Sequence, residues 1–469
     1  MRLKPIVFAI ALLFASLVSA QDKTLYFMGI YPYNHQLNPA YSYNRSVVII
    51  SPSVGLSLSN SSLTFNTAFN RGEGARDTIL YWDFETIEKK LKKSNTISAD
   101  GSLNYFFAGK VLKGGNYASV SISRRVGACF SFPKSFVSLR YGNADIAGNK
   151  PRKIDLDNYN LDGVLYTEYM FGLSGKLSSR FSAGIHLKLL HGQMAVKTTQ
   201  FLASVDTKDD FSQSTLKTDA LIKLSAPVVK KEGDNNRIEV DKEELDKQLS
   251  WFFFSPANYG IGADIGFIAD IGNRMTLSGS LNDVGVIHWG KSPQQLSSSG
   301  SYIFDGFYFS AGDFRDFDAR DYLRQYTDTL QSLFLPEKSN EPFNTRLSAK
   351  SYLGWNYLHS VKLSFNALAK MVFSYDGVFW GITCGTVYTP VRRLSISGTW
   401  SYYNNSLYNI GLGAAYTWPR VQVFAATDNL NAINILDSKG ANIAFGVSWL
   451  IHSGVPPRQG RTGSLLHPQ

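Results

Sequence analysis

The groups that could do chemistry in this chain are few and poorly spaced for it. Seven histidines are scattered along 469 residues, with no HExxH pair to hold zinc. His186 and His191 are five positions apart, and on a strand such side chains face opposite sides, so they make a poor metal pair. Cys129 and Cys384 show no CxxC or zinc spacing and read as two buried free thiols, with one disulfide as the alternative in an oxidising compartment. Gly260, Gly262 and Gly266 miss the GxGxxG spacing of a nucleotide loop, and period-2 glycines on one face of a strand explain them more simply. Neither a GxSxG elbow nor a Walker motif occurs. The expectation is a non-enzyme with no catalytic residue, no cofactor and no metal.

The composition says what the residues are for instead. Hydrophobic residues make up 44% and charged residues 18%, against about 25% charged in an average globular protein. Aromatics reach 14%, with 39 Gly and 16 Pro. The mean hydropathy of −0.12 is too polar for a bundle of membrane helices. Disorder is excluded by the aromatics and the low charge. The net charge of +10 comes with no basic stripe interleaved with aromatics, so nucleic acid is not expected as a partner. Cationic loops facing anionic lipopolysaccharide are the expected use of that charge.

Residues 1–20 have a positive start at Arg2 and Lys4, an apolar run from Ile6 to Val18, and the small-residue site Val18-Ser19-Ala20. That is a secretory signal peptide cleaved after Ala20. Gln21 follows, so the lipoprotein route is closed. No other apolar run is long enough to span as a helix, so a membrane protein built from the rest must be a closed β-barrel.

Long segments alternate with period 2, the mark of strands. Tyr259, Ile261, Ala263, Ile265, Phe267 and Ile271 share one face, opposite Asn258, Gly260, Gly262, Asp264, Gly266 and Asp270. Tyr408 to Trp418 and Ile443 to Ile451 alternate in the same way. The segments run roughly 9–13 residues, longer than the 5–6 usual in soluble sheets. Their polar face is rich in Gly, Ser, Thr and Asn, which suits a lumen, and Trp400, Trp418 and Trp449 stand near strand ends as interfacial girdles do. Short links such as Gly272-Asn273 and Pro419-Arg420 make neighbours antiparallel. The fold expected is all-β: a transmembrane antiparallel barrel of about 14 strands over residues 47–452. A secreted β-sandwich or adhesin is the alternative.

Insertions are expected at 71–101, 226–256 and 286–342, with a tail at 453–469. The first carries a helical stripe (Phe84, Ile87, Leu91) and the i,i+4 pair Glu85–Lys89. The second holds Lys230-Lys231-Glu232 and a turn or two of helix near Leu245 and Leu249. The best helix, with Tyr322, Leu323, Tyr326, Leu330 and Leu333 on one stripe, spans 311–335. Residues 21–46 form a compact, non-helical segment. It is either a plug inside the lumen or a lead-in strand at the rim.

Tyr26-Phe27-Met28 followed by Leu37-Asn38-Pro39-Ala40 just after a signal peptide resembles a Bacteroidota outer-membrane barrel family of unknown function, related to PorP/SprF-type and FadL-like barrels. The stretch from Asp283 through Gly285 to Trp289 resembles that family's D-x-G-x-I-x-W segment, and Thr427-Asp428-Asn429-Leu430 is similar to a turn shared with PorP/SprF-type barrels. The resemblance marks Asn38, Pro39, Ala40, Asp283, Gly285, Trp289, Asp428 and Asn429 as motif residues without assigning them a role. It implies a barrel of the Gram-negative outer membrane. Passage of a small molecule, hydrophobic cargo included, is the leading functional expectation. An anchor or accessory of a type IX secretion, gliding or cell-surface complex, with proteins of that complex as partners, is the second.

Overall fold

A computed structural model describes residues 22–452, apart from 31–32, 44–46, 72–79, 142–149, 152, 227–257, 292, 305–334, 339–340, 375–376, 404–405, 431–438 and 450. The signal peptide, the helices expected near 245 and over 311–335, and the tail 453–469 lie outside the described residues.

Fourteen antiparallel strands close into a barrel. They are β1 (Val47–Asn60), β2 (Ser94–Val111), β3 (Tyr117–Pro133), β4 (Asn160–Lys176), β5 (Phe181–Thr207), β6 (Asn258–Ile271) and β7 (Met275–Trp289). The second half is β8 (Ala349–Ser360), β9 (Leu363–Ser374), β10 (Gly377–Val391), β11 (Leu394–Tyr403), β12 (Ser406–Thr417), β13 (Val421–Thr427) and β14 (Gly440–Trp449). Closure is direct: Val54 of β1 pairs with Phe445 of β14 on one side and with Leu103 of β2 on the other. A closed barrel leaves no sheet edge, which sets aside the sandwich alternative.

The alternation decides which face meets which solvent. On β6, Ile261 is 65% exposed while Asp264 is 1% exposed. Leu187, Leu353, Ile382, Leu412 and Phe445 point outward in the same way. Exposed apolar side chains on every side of a closed barrel are a lipid-facing belt, so this is a membrane-spanning barrel of the outer-membrane type. Trp400, Trp418 and Trp449 are outward on it. Cys129 is buried but Cys384 is exposed. The expectation of two buried thiols is corrected, because Cys384 has the outward parity of Ile382 on β10. Both are free.

Short turns at 112–116, 177–180, 272–274 and 392–393, the start of β1 and the end of β14 lie at one end of the barrel. The long connections lie at the other. Short turns mark the periplasmic end and long loops the outer one. Two insertion boundaries shift: β2 already begins at Ser94 and β7 runs through Trp289, so residues 94–101 and 286–289 belong to the wall. In the first insertion, the helix Phe84–Lys90 is capped by the Asp83 carboxylate, which accepts from Thr86 N, and buries Ile87 beside Leu91, Phe132 and Val137.

Part of the surplus length is strand rather than loop. β5 has 27 residues; at about 3.4 Å each it is about 90 Å long. A strand tilted about 45° crosses about 30 Å of hydrocarbon in about 42 Å. Its outer half therefore stands clear of the membrane, where it pairs with the strand Ser214–Ser225, which pairs in turn with Pro293–Phe304.

Candidate functional site

The described residues between 22 and 43 lie inside the bore. The helices Asp22–Leu25 and Tyr33–Leu37 correct the expectation of a non-helical segment. Four or five residues are too few to hold a helix by propensity; the wall holds these. Asn34 ties the two together, its Oδ1 accepting from Ile30 N at 2.6 Å and its Nδ2 donating to Tyr26 O. Of the two alternatives for this segment, the structure shows the plug.

Three contacts seat it. At its outer end the Asp428 carboxylate accepts from Thr24 N at 2.7 Å and Lys23 N at 3.3 Å. The Asp22 carboxylate takes Lys370 Nζ at 2.6 Å and the Tyr352 hydroxyl. Burial pushes Asp22 up, but Lys370 and Lys350 outweigh it and hold the carboxyl at about 2, so it is ionised at neutral pH. At the periplasmic end Leu37 O accepts from Ser280 Oγ and Asn282 Nδ2, both at 2.7 Å, and Asn38 Nδ2 donates to Phe267 O at 3.2 Å. Asn38 Oδ1 also accepts from Ala40 N, closing the turn at Pro39.

The wall is cut to this shape. Gly184 and Gly266 face each other across β5 and β6. A Cβ at Gly184 would lie 2.1 Å from Pro39 O, and one at Gly266 would lie 2.2 Å from Asn38 Oδ1. A Cβ at Gly411 would lie 2.3 Å from Thr24 Oγ1, one at Gly413 2.7 Å from Met28 Sδ and one at Gly354 3.0 Å from Tyr26. Of the period-2 glycines on β6, Gly266 carries the imprint of the plug, whereas Gly260 and Gly262 meet the neighbouring strands at Ile287 and Lys188.

Between these ends, His35 reaches the wall. Its Nδ1 faces Tyr41 O, a pure acceptor, so Nδ1 carries the hydrogen. Its Nε2 is then an acceptor, facing Ser119 Oγ at 2.7 Å and His186 Nε2 at 3.1 Å. Burial, with His186 beside it, pushes His35 down to about 3, leaving it neutral. His186 Nδ1 meets Asp264 Oδ2 at 2.9 Å. A hydrolytic triad needs one imidazole between serine and acid; here two intervene, and Ser119, His35 and His186 are all buried. The arrangement is a latch, not a nucleophile.

Asp264 belongs to a buried ion cluster on five strands. Lys188 Nζ lies 2.8 Å from Asp264 Oδ1, 2.6 Å from Asp283 Oδ1 and 3.3 Å from Glu168 Oε2. Arg125 closes on Glu168 at 3.4 Å. A bulge between Ala263 and Ile265 gives β7 an extra residue, and Asp283 takes a left-handed φ of 60° there. The bulge turns Asp283 inward beside Asn282.

The motif residues do not form one site. Asn38, Pro39 and Ala40 sit on the periplasmic seat, Asp283 in the ion cluster and Asp428 at the outer latch. Asn429 closes its hairpin by donating from Nδ2 to Gly440 O. Gly285 allows a close strand approach, a Cβ there lying 2.6 Å from Ile261 O. Trp289 is fully buried, donating to Thr345 Oγ1 at 2.8 Å. Sequence reasoning missed Asp22, His35, Glu168, Lys188 and Lys370. The signal existed: Glu168 and Lys188 are charges at the inward parity of strands whose outward positions are apolar, and a buried charge needs a partner.

Outside the plug the lumen opens into a vestibule that is continuous with solvent. Ser59, Ser98 and Asp100 line it on β1 and β2; Val372, Phe379 and Tyr403 line it on β9, β10 and β11.

A family model matches residues 39–428, from the Pro39 of the seat to the Asp428 of the latch. The chain belongs to DUF5723, a family of unknown function. No curated protein matches it. Among solved structures it is similar to the Ralstonia pickettii toluene transporter TbuX, with a TM-score of 0.44 and 9% identity over 94% of this chain and 99% of that one. It is also similar to a Pseudomonas aeruginosa FadL homologue, with a TM-score of 0.41 and 11% identity over 92% and 98%. At these scores the likeness carries nothing about function.

Proposed function

We propose that this DUF5723 protein is a gated barrel of the Gram-negative outer membrane that passes a small molecule when residues 22–43 leave or shift within the bore. The observation that carries this reading is the plug seat: a separate segment, rather than wall side chains, fills the lumen, and much of its hold is polar. Hydrogen bonds to the wall can be exchanged for bonds to water at a net cost of about 1 kcal/mol each. A cargo with apolar surface fits the Val372 and Phe379 side of the vestibule. Single-channel recording tests the reading. The full chain should be mostly closed, and a chain lacking residues 22–43 should conduct. Neither conductance nor solute uptake in either form would overturn it.

A second reading is supported by β5 and its partner strands standing outside the membrane: the barrel anchors a secretion or cell-surface complex. Purification of the native protein in mild detergent should then recover a stoichiometric partner, and a clean monomer would count against it.

A further inference from the structure

The vestibule has two unlike walls. In a ring of fourteen strands, β2 and β9 stand half-way round from each other, so its two linings face across the bore. On one side Ser59 Oγ and Ser98 Oγ are 2.7 Å apart, and the Asp100 carboxylate has no hydrogen-bond or ion-pair partner among the described residues. Serine hydroxyls and a carboxylate are acceptors for ligand hydroxyls, and Asp100 repels an anion. On the other side Phe379 and Val372 offer carbon surface and Tyr403 a ring, with Ser348 and Ser374 beside them. A fatty chain would leave the Asp100 wall without partners, and an ion would leave the Phe379 wall unused.

We infer that the vestibule is a binding site for a neutral hydroxylated ring, a sugar of the pyranose kind, with its hydroxyls on Ser98 and Asp100 and its C–H face on Phe379. This names the solute class for the gated-passage reading and rests on it. The plug reaches one residue that lines the site: Lys23 Nζ lies 4.4 Å from the centroid of the Tyr403 ring. An occupant that touches Tyr403 therefore acts next to the contact between Lys23 and the wall.

The test is binding, measured apart from passage. The full chain in lipid nanodiscs is titrated with methyl glucoside and maltotriose, with gluconate as the anionic arm and cyclohexane as the apolar arm. Calorimetry or saturation-transfer NMR is the readout. The neutral sugars are expected to bind at millimolar concentration, with gluconate at least about tenfold weaker. Asp100→Ala and Phe379→Ala should each weaken sugar binding about tenfold, the loss of one charged hydrogen bond or one stacking face. Trp355→Phe, on the lipid face, should leave it unchanged. Heat-dependent gel mobility reports that each variant has kept its barrel. Tighter binding of cyclohexane than of either sugar, or equal binding by Asp100→Ala, overturns the inference. Sugar binding by a barrel that never conducts, with or without residues 22–43, keeps the site and overturns only the passage reading.

Discussion

Replacing Gly184 and Gly266 together by leucine should open the barrel without weakening its wall. Both glycines have ordinary strand conformations, and leucine is the better strand former, so the perturbation falls on the plug. The Cβ of residue 184 would lie 2.1 Å from a main-chain oxygen of Pro39, which cannot rotate away, so the segment must lift. Lifting it breaks the Ser280 and Asn282 bonds to Leu37 O and the Asn38 bond to Phe267 O. At about 1 kcal/mol each, three such bonds come to about 3 kcal/mol, and the fraction with a displaced segment rises about a hundredfold. Single-channel open probability should rise by that order. Gly398→Leu is the control, because a Cβ there meets nothing within 4 Å. Heat-dependent gel mobility should show an intact barrel throughout. A double variant that stays closed, with its plug shown by cysteine labelling to be displaced, would refute the claim that this segment is the gate. A plug that stays seated would refute the seat.

Docking should weaken in acid. An undocked His35 titrates near 6.5, whereas the docked imidazole, facing His186, Ser119, Tyr41 O and, beyond His186, Asp264, is held at about 3. The undocked state therefore binds the extra proton between those values, and docking is complete above pH 6.5 and lost progressively as pH falls toward 3, by about 1.4 kcal/mol per pH unit. Asp22, held at about 2, adds loss in the same direction only below its ordinary value near 3.9. Labelling of Gln36→Cys in a cysteine-free background, divided at each pH by the rate of a free cysteine peptide to remove the thiolate dependence, should rise from pH 7.5 to 5, and His35→Gln should flatten that response. Lys188→Met leaves Asp264, Asp283 and Glu168 without their shared cation, and should cost about 3–5 kcal/mol of barrel stability by denaturant titration. Asp428→Ala removes the acceptor of Lys23 N and Thr24 N, and should speed labelling of a cysteine at residue 24 while leaving gel mobility unchanged.

The barrel was legible because lipid enforces a strict rule on one face. Ile261, Leu412 and Phe445 must be apolar and outward, and the period follows from that alone. The bore enforces no such rule. Gly266 reads as a generic lumen glycine and Gly184 carries no signal of its own, since the sequence does not say that the Asn38-Pro39 turn rests on them. Lys188 and Asp264 are far apart in the chain, and only the pairing of β5 with β6 brings them together. The helices at 22–25 and 33–37 were illegible for a related reason: their stability comes from the wall, not from their own residues. The same holds for β5, whose outer half continues a membrane strand into water with no change of period at the boundary.

The plug is held at its middle and on either side by different physics, and this predicts how it moves. Leu25, Met28, Ile30 and Tyr33 pack on Val387, Ala415, Phe424, Ala426 and Ala444, an apolar patch on β10 and β12–β14. Burying Leu25, Met28 and Ile30 alone is worth about 2 kcal/mol each, about 6 kcal/mol together. Beyond the turn, Ala40, Tyr41 and Tyr43 pack on Phe107, Tyr117, Met170 and Ile268. The turn at Asn38-Pro39 between them rests on β5–β7 through the three hydrogen bonds worth about 3 kcal/mol. Water can replace those bonds but not the apolar contacts, so the turn should loosen first while the segments on either side stay as anchors. Hydrogen exchange would then be faster at Asn38 and Ala40 than at Met28 and Ile30. A barrel built this way leaves an opened seat of Gly184, Ser280, Asn282 and Asn104 that water can wet, so the partly open state carries no large penalty of its own.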